Sequence, residues 1–553
     1  MKKATRILVF TLAVLFIFGA ASFPPGVVGK SDNIKFYSVR DHGAIGDGKT
    51  VDTVAINKAV EAAAATGGGT VYFPAGIYLT FSVRLKSNVT IFLDNGAVVL
   101  AADPKEQNGT YDMPEPNQWD MYQDFGHSHW QNSLFWGIGV ENVAFLGQGR
   151  IDGKGLSRRS PGPRRPRTAG ETPASLGGGE KNAIAPLGET SDVKDMNGQG
   201  TKAIALKLSR NITIRDITIF RGGHFALLAT GVDNMTIDNV KVDTNRDGFD
   251  IDACRNVRIS NSGVNSPNDD AIVLKSSYAL GFARATENVT IINSQVSGYD
   301  LGTFLDGTFK TTQEFAPDKD RVTGRIKFGT ESNGGFKNVT ISNIVFVHCR
   351  GLAIETVDGG SIEDVMISNI TMRDITTAPV FIRLGARKRG PEGTPIGAIR
   401  RVNISNLIVS DADPQYASII AGLNGHDIED VRLSNITIRY KGGGTKADAA
   451  RQVPENEKNY PEPSMFGVIP AYGFYIRHAR GTVFDNVDVS FEKADERPAF
   501  VLDDVKNAVF YRTSARLASD AKIFVLKNVM NFRSLQSPNL SDVIVDRVDR
   551  RSY

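Results

Sequence analysis

Residues 210–219 read RNITIRDITI, residues 233–242 read DNMTIDNVKV and residues 255–264 read RNVRISNSGV. In each phrase an asparagine turn precedes a strand of alternating apolar and polar residues, and a second polar turn leads into another short strand. The asparagines in second place are 23 and then 22 positions apart. This spacing marks an internal repeat, and the repeat decides the fold.

The same phrase recurs from residue 87 onward, with wider gaps that we interpret as longer loops. Its other occurrences are SNVTIFL, ENVAFLG, ENVTIINSQV, KNVTISNIVF, EDVMISNITM, RRVNISNLIV and EDVRLSNITI. A unit this short cannot enclose a core alone, so the units must stack, each strand pairing in parallel with the next turn. The sequence therefore predicts an all-β, right-handed parallel β-helix. A β-sandwich array fits less well, because the repeat lacks the Asn-Gly pairs of hairpin turns.

One amphipathic helix is predicted over residues 53–65, where apolar residues recur at helical spacing. Asp52 or Thr53 is the predicted N-cap, and the glycines at 67–69 end the helix. A helix at this place would cap the end of the stacked core, which otherwise leaves unpaired backbone and apolar side chains open to water.

Composition and charge limit the functional classes. The chain has 553 residues, of which 41% are hydrophobic and 23% charged, so it can bury a large core. A formal net charge of only +3 argues against a dedicated nucleic-acid-binding protein. We expect a monomer that acts on a polysaccharide or oligosaccharide, without a cofactor or a metal and without a membrane partner.

The first residues, MKKATRILVFTLAVLFIFGAAS, place three cations before an apolar run over residues 7–18, which small residues follow. This pattern predicts a secretory signal peptide over residues 1–21 and a secreted or periplasmic protein. Residues 34–553 are predicted to form a single catalytic β-helix domain. Residues 157–200, rich in Pro, Gly and Arg, are interpreted as a flexible insertion, whose arginines could meet an acidic polysaccharide or simply be solvated.

Only two cysteines occur in the sequence, Cys254 and Cys349. In an oxidising compartment they could form a disulfide, but both have apolar neighbours, and packing in the core is the favoured interpretation.

Carboxylates are densest in VDTNRDGFDIDACRNVRISNSGVNSPNDDAIVLKSS, residues 242–277. Asp247 precedes Asp269 by 22 positions, about one coil, so stacking is expected to bring Asp247, Asp269 and Asp270 together on one face. Like charges so close raise at least one carboxyl pKa, which keeps a proton available near neutral pH. Glycoside hydrolysis needs one protonated acid and ionised partners that activate water. Either motif alone could be an ordinary Asn/Asp turn, but their one-coil separation favours a site.

Several stretches together resemble the polygalacturonase-like glycoside hydrolases of family 28, with a start typical of the pectate lyase superfamily. The resemblance covers nearly all of the chain after the signal peptide. It is carried by FYSVRDHGAIGDGKTVDTVAINKAV, GGGTVYFPAGIY, ENVAFLGQGRIDGKG, NRDGFDI and NDDAIVLKS.

The resemblance assigns roles to the aspartates. The family's Asn-Thr-Asp motif falls on Asn245, Arg246 and Asp247, and its Gly-Asp-Asp motif falls on residues 268–270. By that likeness Asp269 is the general acid, while Asp247 and Asp270 hold and deprotonate the attacking water. The family inverts the anomeric centre, so the acid and base carboxylates are expected about 6.5 to 9.5 Å apart.

Two departures from the family bear on the substrate. The stretch RVTGRIKFGTESNGG lacks the family's Gly-His-Gly, and GLAIETVDGG, with Ala353 and Glu355, stands where an Arg-Ile-Lys usually grips a uronate. A glutamate facing a uronate carboxylate would repel it, so a non-galacturonate polymer is an alternative. Arg325 and Lys327, one coil earlier, could replace the missing cations and keep an acidic sugar as the substrate.

Other candidates for substrate contact lie outside the aspartate coils. HSHWQNSLFWG clusters His127, His129 and Trp130 before a strand, and such aromatic and imidazole groups suit sugar rings, although a packed loop is the alternative. Lys275 either orients a carboxylate or caps a strand, and His224 is either structural or a ligand. The segment at 460–481, which contains Arg477 and His478, is either a loop over the cleft or a static cover.

Three functional classes follow, in order of preference. The first is a glycoside hydrolase. The second is a Ca²⁺-dependent uronate lyase, in which the aspartates bind the ion and a lysine or arginine removes the proton next to the carboxyl group. The third is a non-catalytic adhesin or glycan-binding module on the same scaffold.

Overall fold

The structure is a computed structural model that describes residues 35–157, 196–316 and 321–553. Most of the predicted insertion, and the predicted signal peptide, lie outside these ranges. Residues Phe36–Tyr553 form one compact unit. None of the helices in the described part is long and apolar enough to cross a membrane.

The described residues are almost entirely β-structure. The strands are, in chain order, β1 Phe36–Ser38, β2 Asp47–Val51, β3 Gly69–Phe73, β4 Gly76–Thr80, β5 Val83–Arg84, β6 Val89–Leu93, β7 Ala97–Ala101, β8 Phe135–Ile138, β9 Glu141–Gly147, β10 Arg150–Asp152, β11 Lys202–Lys207, β12 Arg210–Arg215, β13 Thr218–Phe220, β14 Phe225–Thr230, β15 Asp233–Asp238, β16 Lys241–Asp243, β17 Asp247–Asp252, β18 Arg255–Ser260, β19 Gly263–Asn265, β20 Ile272–Ser276, β21 Thr286–Ser297, β22 Ile326–Ser332, β23 Phe336–Cys349, β24 Leu352–Thr356, β25 Ser361–Ile375, β26 Val380–Leu384, β27 Ala398–Ala412, β28 Ser418–Ala421, β29 Ile428–Gly442, β30 Phe474–Arg480, β31 Val483–Lys493, β32 Phe500–Tyr511, β33 Ser514–Ala515, β34 Phe524–Leu535 and β35 Val543–Ser552. The α-helices are α1 Thr53–Ala65, α2 Thr303–Asp306 and α3 Lys446–Ala449, and short 3-10 helices span Asp120–Tyr122 and Pro463–Phe466.

The strands form three parallel faces that wind around one core. The face that carries the predicted site, here called the site sheet, stacks β5, β8, β11, β14, β17, β20, β22, β24, β26, β28, β30, β32 and β34 in that order. A second face begins with β1, β3, β6 and β9, and a third begins with β2, β4, β7 and β10. Each strand pairs in parallel with the corresponding strand of the next coil, which confirms the predicted parallel β-helix.

Asparagines turn the chain at the corners of the coils. From β21 onward one long strand runs through the second and third faces and bends at an asparagine with left-handed backbone, for example Asn343 with φ 59°. Asparagine tolerates this conformation better than most residues. Its side chain also bonds to the next coil, since Asn343 Nδ2 donates to Asn293 Oδ1 at 2.9 Å and Asn369 Nδ2 donates to Asn343 Oδ1 at 3.1 Å. The repeated Asn of the sequence is therefore a ladder along the axis.

Both ends of the stack are covered. Helix α1 has the predicted bounds and buries its apolar face against the first coils. Asp52 is its N-cap, but its carboxylate accepts hydrogen bonds from the backbone N–H groups of Ile45 and Gly46, at 2.7 and 3.0 Å. At the other end β35 pairs antiparallel with β34. Cys254 and Cys349 are buried and unpaired, which agrees with packing in the core.

Several described segments depart from the coils on the side of the site sheet, and three of them are named here. Residues 102–134 connect β7 to β8, residues 385–397 connect β26 to β27, and residues 443–473 connect β29 to β30. We call them the first, second and third loops. Together they shape the surface above the site sheet.

Candidate active site

The two predicted motifs lie one above the other, residue upon residue. Strand β17 pairs with β20 so that Phe249 lies opposite Ile272, which sets Asp247 against Asp270 rather than against Asp269. One coil at this place therefore has 23 residues and not the 22 expected. Asn268 Nδ2 donates to Asn245 Oδ1 at 2.7 Å, and the backbone N–H of Asp270 donates to Asp247 Oδ1 at 3.2 Å.

The three aspartates converge as predicted. Each contributes one carboxylate oxygen to a group whose members all lie within 4.8 Å of one another. Stacking at the strand spacing of about 4.8 Å brings side chains of neighbouring coils together. Arg246, where the family has threonine, places its Nη2 atom 3.1 Å from Asp269 Oδ2.

Crowding of carboxylates retains a proton in this group. Burial, and then the charge of Asp269, raise the pKa of Asp247 well above its usual range, although Lys275 opposes the shift. This agrees with the prediction that one carboxyl pKa is raised. Because such close groups titrate together, the proton belongs to the cluster rather than to one residue.

Lys275 connects the cluster to a buried ion chain. Its Nζ atom lies 2.9 Å from Asp250 Oδ2, 3.5 Å from Glu331 Oε2 and 3.7 Å from Asp247 Oδ2. On the far side of Asp250, His127 Nε2 lies 3.3 Å from Oδ1. Burial favours the neutral form of Asp250, but Lys275 and His127 outweigh it and lower the pKa of that carboxyl. Lys275 therefore orients carboxylates, as one of its two interpretations proposed.

Arg325 and Lys327 hold Asp270 from the following coil. Arg325 donates from Nε to Asp270 Oδ1 at 2.9 Å, and Lys327 Nζ lies 3.6 Å from Asp270 Oδ2. The two Nη atoms of Arg325 donate to the carboxylate of Glu462 in the third loop, Nη2 to Oε1 at 2.6 Å and Nη1 to Oε2 at 3.1 Å. Arg325 is 1% exposed. It thus positions a carboxylate, and the expectation that it grips the sugar is not met.

Glu355 does not face the cavity. It is fully buried, with Oε2 3.6 Å from Lys327 Nζ and Oε1 4.0 Å from Arg325 Nη2. Burial raises the pKa of Glu355 to about 7, although both cations oppose the shift. The expectation that Glu355 meets a substrate carboxylate is therefore corrected, because the side chain lies beneath the site.

A cavity of about 250 Å³ opens above the aspartates. It is lined by Asp124, Phe125, His224, Phe225, Arg246, Asp247, Asp269, Asp270, Lys275, Lys327, Gly329, Thr330, Glu331, Arg389 and Tyr460. His224 belongs to this lining, whereas Asn245 lines a neighbouring cavity of about 240 Å³ with Lys154, Arg221 and others.

His127, His129 and Trp130 are buried, each at most 1% exposed. Trp130 donates from Nε1 to Thr230 Oγ1 at 3.1 Å, and His129 bonds to Asp120 and to the carbonyl oxygen of Glu115. The expected direct contact with sugar is thus corrected to the alternative, a packed loop. Hydrophobic residues in loops carry no periodic signal that separates a buried ring from an exposed one.

Four ionisable residues of the cavity wall were not named individually from the sequence. They are Asp124 in the first loop, Arg389 in the second loop, Tyr460 in the third loop and Glu331 at the end of β22. Arg477 and His478, named as candidates, lie on β30, where His478 bonds to Asp504 and Glu455 and neither residue lines the cavity. Only the Pro- and aromatic-rich composition of the third loop pointed to its covering role.

Comparisons with known proteins agree with this arrangement. The family described as "Rhamnogalacturonase A/epimerase, pectate lyase-like" matches residues 36–143, and "Right handed beta helix region" matches residues 188–310. A "Probable polygalacturonase" of Vitis vinifera is 24% identical over 75% of this chain and 76% of its own. The "Exo-poly-alpha-D-galacturonosidase" of Dickeya chrysanthemi is 24% identical over 76% of this chain and 70% of its own.

A solved structure shows the same fold. The family 28 exopolygalacturonase of Yersinia enterocolitica aligns with a TM-score of 0.59 and 17% identity, over 86% of this chain and 78% of that chain. The stacked parallel coils, the paired aspartate motifs and these likenesses agree with one another. The chain is a right-handed parallel β-helix, and over about three quarters of its length it is similar to polygalacturonases.

Proposed function

We propose that this protein hydrolyses O-glycosidic bonds of a pectic polysaccharide. The observation that carries the proposal is the convergence of Asp247, Asp269 and Asp270, within 4.8 Å, at the floor of a cavity where burial keeps a proton on the group. Glycosidases need this pairing of a protonated and an ionised carboxyl group. The names of the two relatives agree with the proposal.

In the proposed mechanism Asp269 gives its proton to the leaving oxygen, and Asp247 and Asp270 hold and deprotonate a water molecule. Arg325 and Lys327 hold Asp270 in place, since both lie within hydrogen-bond or ion-pair distance of it. Proton NMR of the first product formed would show the inverted anomer if the family's mechanism applies.

Cations in the cavity wall support a uronate as the substrate. Lys327, Lys275 and Arg389 line the cavity, and Glu355 is buried behind Lys327 instead of opposing the substrate. Lys327 Nζ also donates to Tyr460 Oη at 3.2 Å and to Thr330 Oγ1 at 3.0 Å, which fixes the ammonium group at the wall. Five acidic and four basic side chains line the cavity, so a substrate carboxylate would gain from these cations by direct contact and not from a net positive charge.

We further propose that residues 1–21 are removed as a signal peptide, that residues 34–553 act as one catalytic domain, and that the protein works in the periplasm or outside the cell. The apolar run behind three cations supports the first point.

The test is incubation of the purified protein with pectic and neutral plant polysaccharides, following reducing ends and ultraviolet absorbance together. New reducing ends without absorbance are expected with galacturonan, and Asp269→Asn should abolish them. Glu429→Gln, in an ion pair on β29 away from the site, is the matched control. Absorbance would indicate a conjugated double bond and hence a lyase. Silence of the native protein on all substrates would contradict catalysis.

A further inference from the structure

Glu462 is a buried carboxylate of the third loop that takes no part in the proposed catalytic steps. Its side chain is fully buried, and it accepts hydrogen bonds from both Nη atoms of Arg325, at 2.6 and 3.1 Å. Arg350, directly after β23, places its Nη1 atom 2.6 Å from Glu462 Oε2. Charge-assisted bonds of this kind are short and strong, so two guanidinium groups hold the loop carboxylate in one place.

Arg325 lies between Glu462 and Asp270. Its Nε atom donates to Asp270 Oδ1 at 2.9 Å, while both Nη atoms donate to Glu462. The Arg325 side chain is almost completely buried, so little water reaches these bonds. Because the donors of a guanidinium group are rigid relative to one another, the position of the loop carboxylate sets the direction of the bond to Asp270.

The second cation beside Asp270 also bonds to the third loop. Lys327 Nζ lies 3.6 Å from Asp270 Oδ2 and donates to Tyr460 Oη at 3.2 Å. Tyr460 precedes Glu462 by two residues in the same loop. Each carboxylate oxygen of Asp270 thus meets a cation that the third loop holds.

A competing carboxylate lies close to Arg325. Glu355 Oε1 is 4.0 Å from Arg325 Nη2, beyond hydrogen-bond distance, whereas Glu462 Oε1 accepts from the same Nη2 atom at 2.6 Å. If Glu462 lost its charge, the buried guanidinium would turn toward Glu355, since a buried charge without a partner is costly. Such a turn would move Nε away from Asp270.

From these contacts we propose that Glu462 is a positioning residue, which fixes Asp270 through Arg325 in the orientation that holds the attacking water. The inference rests on the proposed function and deepens it, because it makes the active site depend on the third loop. Glu462 is not among the described residues that line the cavity. Its substitution should therefore lower the turnover number and leave KM nearly unchanged.

A double-mutant cycle tests this dependence. Glu462→Gln should lower the turnover number on galacturonan about 10- to 100-fold, the loss expected when a catalytic group is misplaced. The double variant Asp270→Asn/Glu462→Gln should be no slower than Asp270→Asn alone, because Glu462 acts through Asp270. If Glu462→Gln slows the Asp270→Asn variant as much as it slows the native protein, the inference is overturned.

Asp495→Asn is the matched control. Asp495 is a fully buried carboxylate that accepts from Arg497 Nε at 2.9 Å and Nη2 at 2.7 Å, and from the backbone N–H of Gly444 in the third loop at 2.9 Å. It anchors the same loop, but in the described part of the chain it has no bond to Asp270. An equal fall in the turnover number in this variant would mean that Glu462→Gln acts by loosening the loop, and would overturn the inference.

Glu462→Asp serves if Glu462→Gln does not fold, since it keeps the charge and only shortens the side chain. It should lose less activity than Glu462→Gln, and again none in the Asp270→Asn background. Crystal structures separate the two proposals if the native protein releases no reducing ends, in which case hydrolysis fails. Asp270 Oδ1 should then lie beyond about 3.5 Å from Arg325 Nε in the Glu462 variant, while Asp495→Asn keeps the native bond. An unmoved Asp270 would overturn the positioning role even where hydrolysis stands.

Discussion

Two stretches of the site sheet share one backbone and differ in their outward side chains. We call β17, β20 and β22, around the aspartates, the uncovered stretch, and β24 to β30, beneath the third loop, the covered stretch. On β17, β20 and β22 these side chains include Asp250, Lys275 and Lys327, which join buried ion pairs. On β24 to β30 they include Phe381 and Ile419, which pack beneath the third loop. The inner faces of both stretches belong to the same hydrophobic core.

The difference shows that the coils alone do not determine where chemistry takes place. A regular sheet offers the same geometry at every coil, and the loops decide which part of it meets solvent. Where the third loop ends, a floor that carries the aspartates and lysines replaces one in which apolar side chains alternate with Glu355 and Arg383. The site is thus the part of the sheet that the loops leave open. Substitutions in the uncovered stretch should mainly lower activity, and substitutions in the covering loops should mainly lower stability or change the products.

Asp270→Asn should have the largest effect, because it removes a carboxylate from the uncovered stretch and leaves its shape. We expect the turnover number to fall at least about 10²-fold, in the range seen for positioned acid and base groups. Reducing-end assays on galacturonan measure this. The matched control is Asp503→Asn on β32, whose carboxylate accepts from Tyr475 Oη at 3.4 Å beyond the covered stretch. Equal losses in both variants would mean that the charge has no local role.

Phe466→Ala should lower stability rather than the turnover number, since Phe466 belongs to the third loop above the covered stretch. Phe466 is 4% exposed and packs in the apolar cluster above β24 to β30. Its truncation should lower the free energy of unfolding by about 3–5 kcal/mol, as for other buried phenylalanines. Urea denaturation measures the change, and Phe282→Ala, at a residue 49% exposed, is the control. A loss no larger than that of the control would show that the third loop does not depend on this contact.

The coils and the aspartate pair could be predicted because their signals are local and periodic. The repeat places Asn343 and its equivalents at corners, and one coil of separation brings residues 245–247 beside residues 268–270. The coil between the two motifs has 23 residues, so Asp247 lies against Asp270 instead of Asp269. The repeat pattern could not predict this, because it does not reveal a single extra residue in a turn.

The loop contacts around the cavity could not be predicted, because they join distant parts of the chain. Glu462 is 137 positions from Arg325, and Arg389 is 265 positions from Asp124. No periodicity connects such residues. For the same reason the sequence could not distinguish a buried Trp130 from an exposed one.

Glu355→Gln tests the buried carboxyl group on β24, where the covered stretch meets the uncovered one. The pKa of Glu355 lies at about 7 against a usual 4.5, so the folded protein keeps a proton that the unfolded chain releases. Stability should therefore fall as pH rises between these values, by about 3 kcal/mol. Glu355→Gln should lose this dependence, measured by urea denaturation below and above that interval. Glu429→Gln, in a surface ion pair, should keep it. An unchanged slope would place the titration on another group.

Asp124→Ala should change stability least while altering what the enzyme releases. The Asp124 side chain is 44% exposed, so its pair with Arg389 is expected to contribute at most about 1 kcal/mol. Its removal breaks the bridge between the first and second loops at the cavity wall, and the share of products longer than the native enzyme releases should rise severalfold. Glu429→Ala breaks a comparable exposed pair on β29 and should leave the products unchanged. Chromatography of early digests measures the distribution. If Asp124→Ala releases the native products, the ion pair does not limit which products are released. The apolar contacts of Trp130 and Phe466, which remain intact in this variant, would then set that limit.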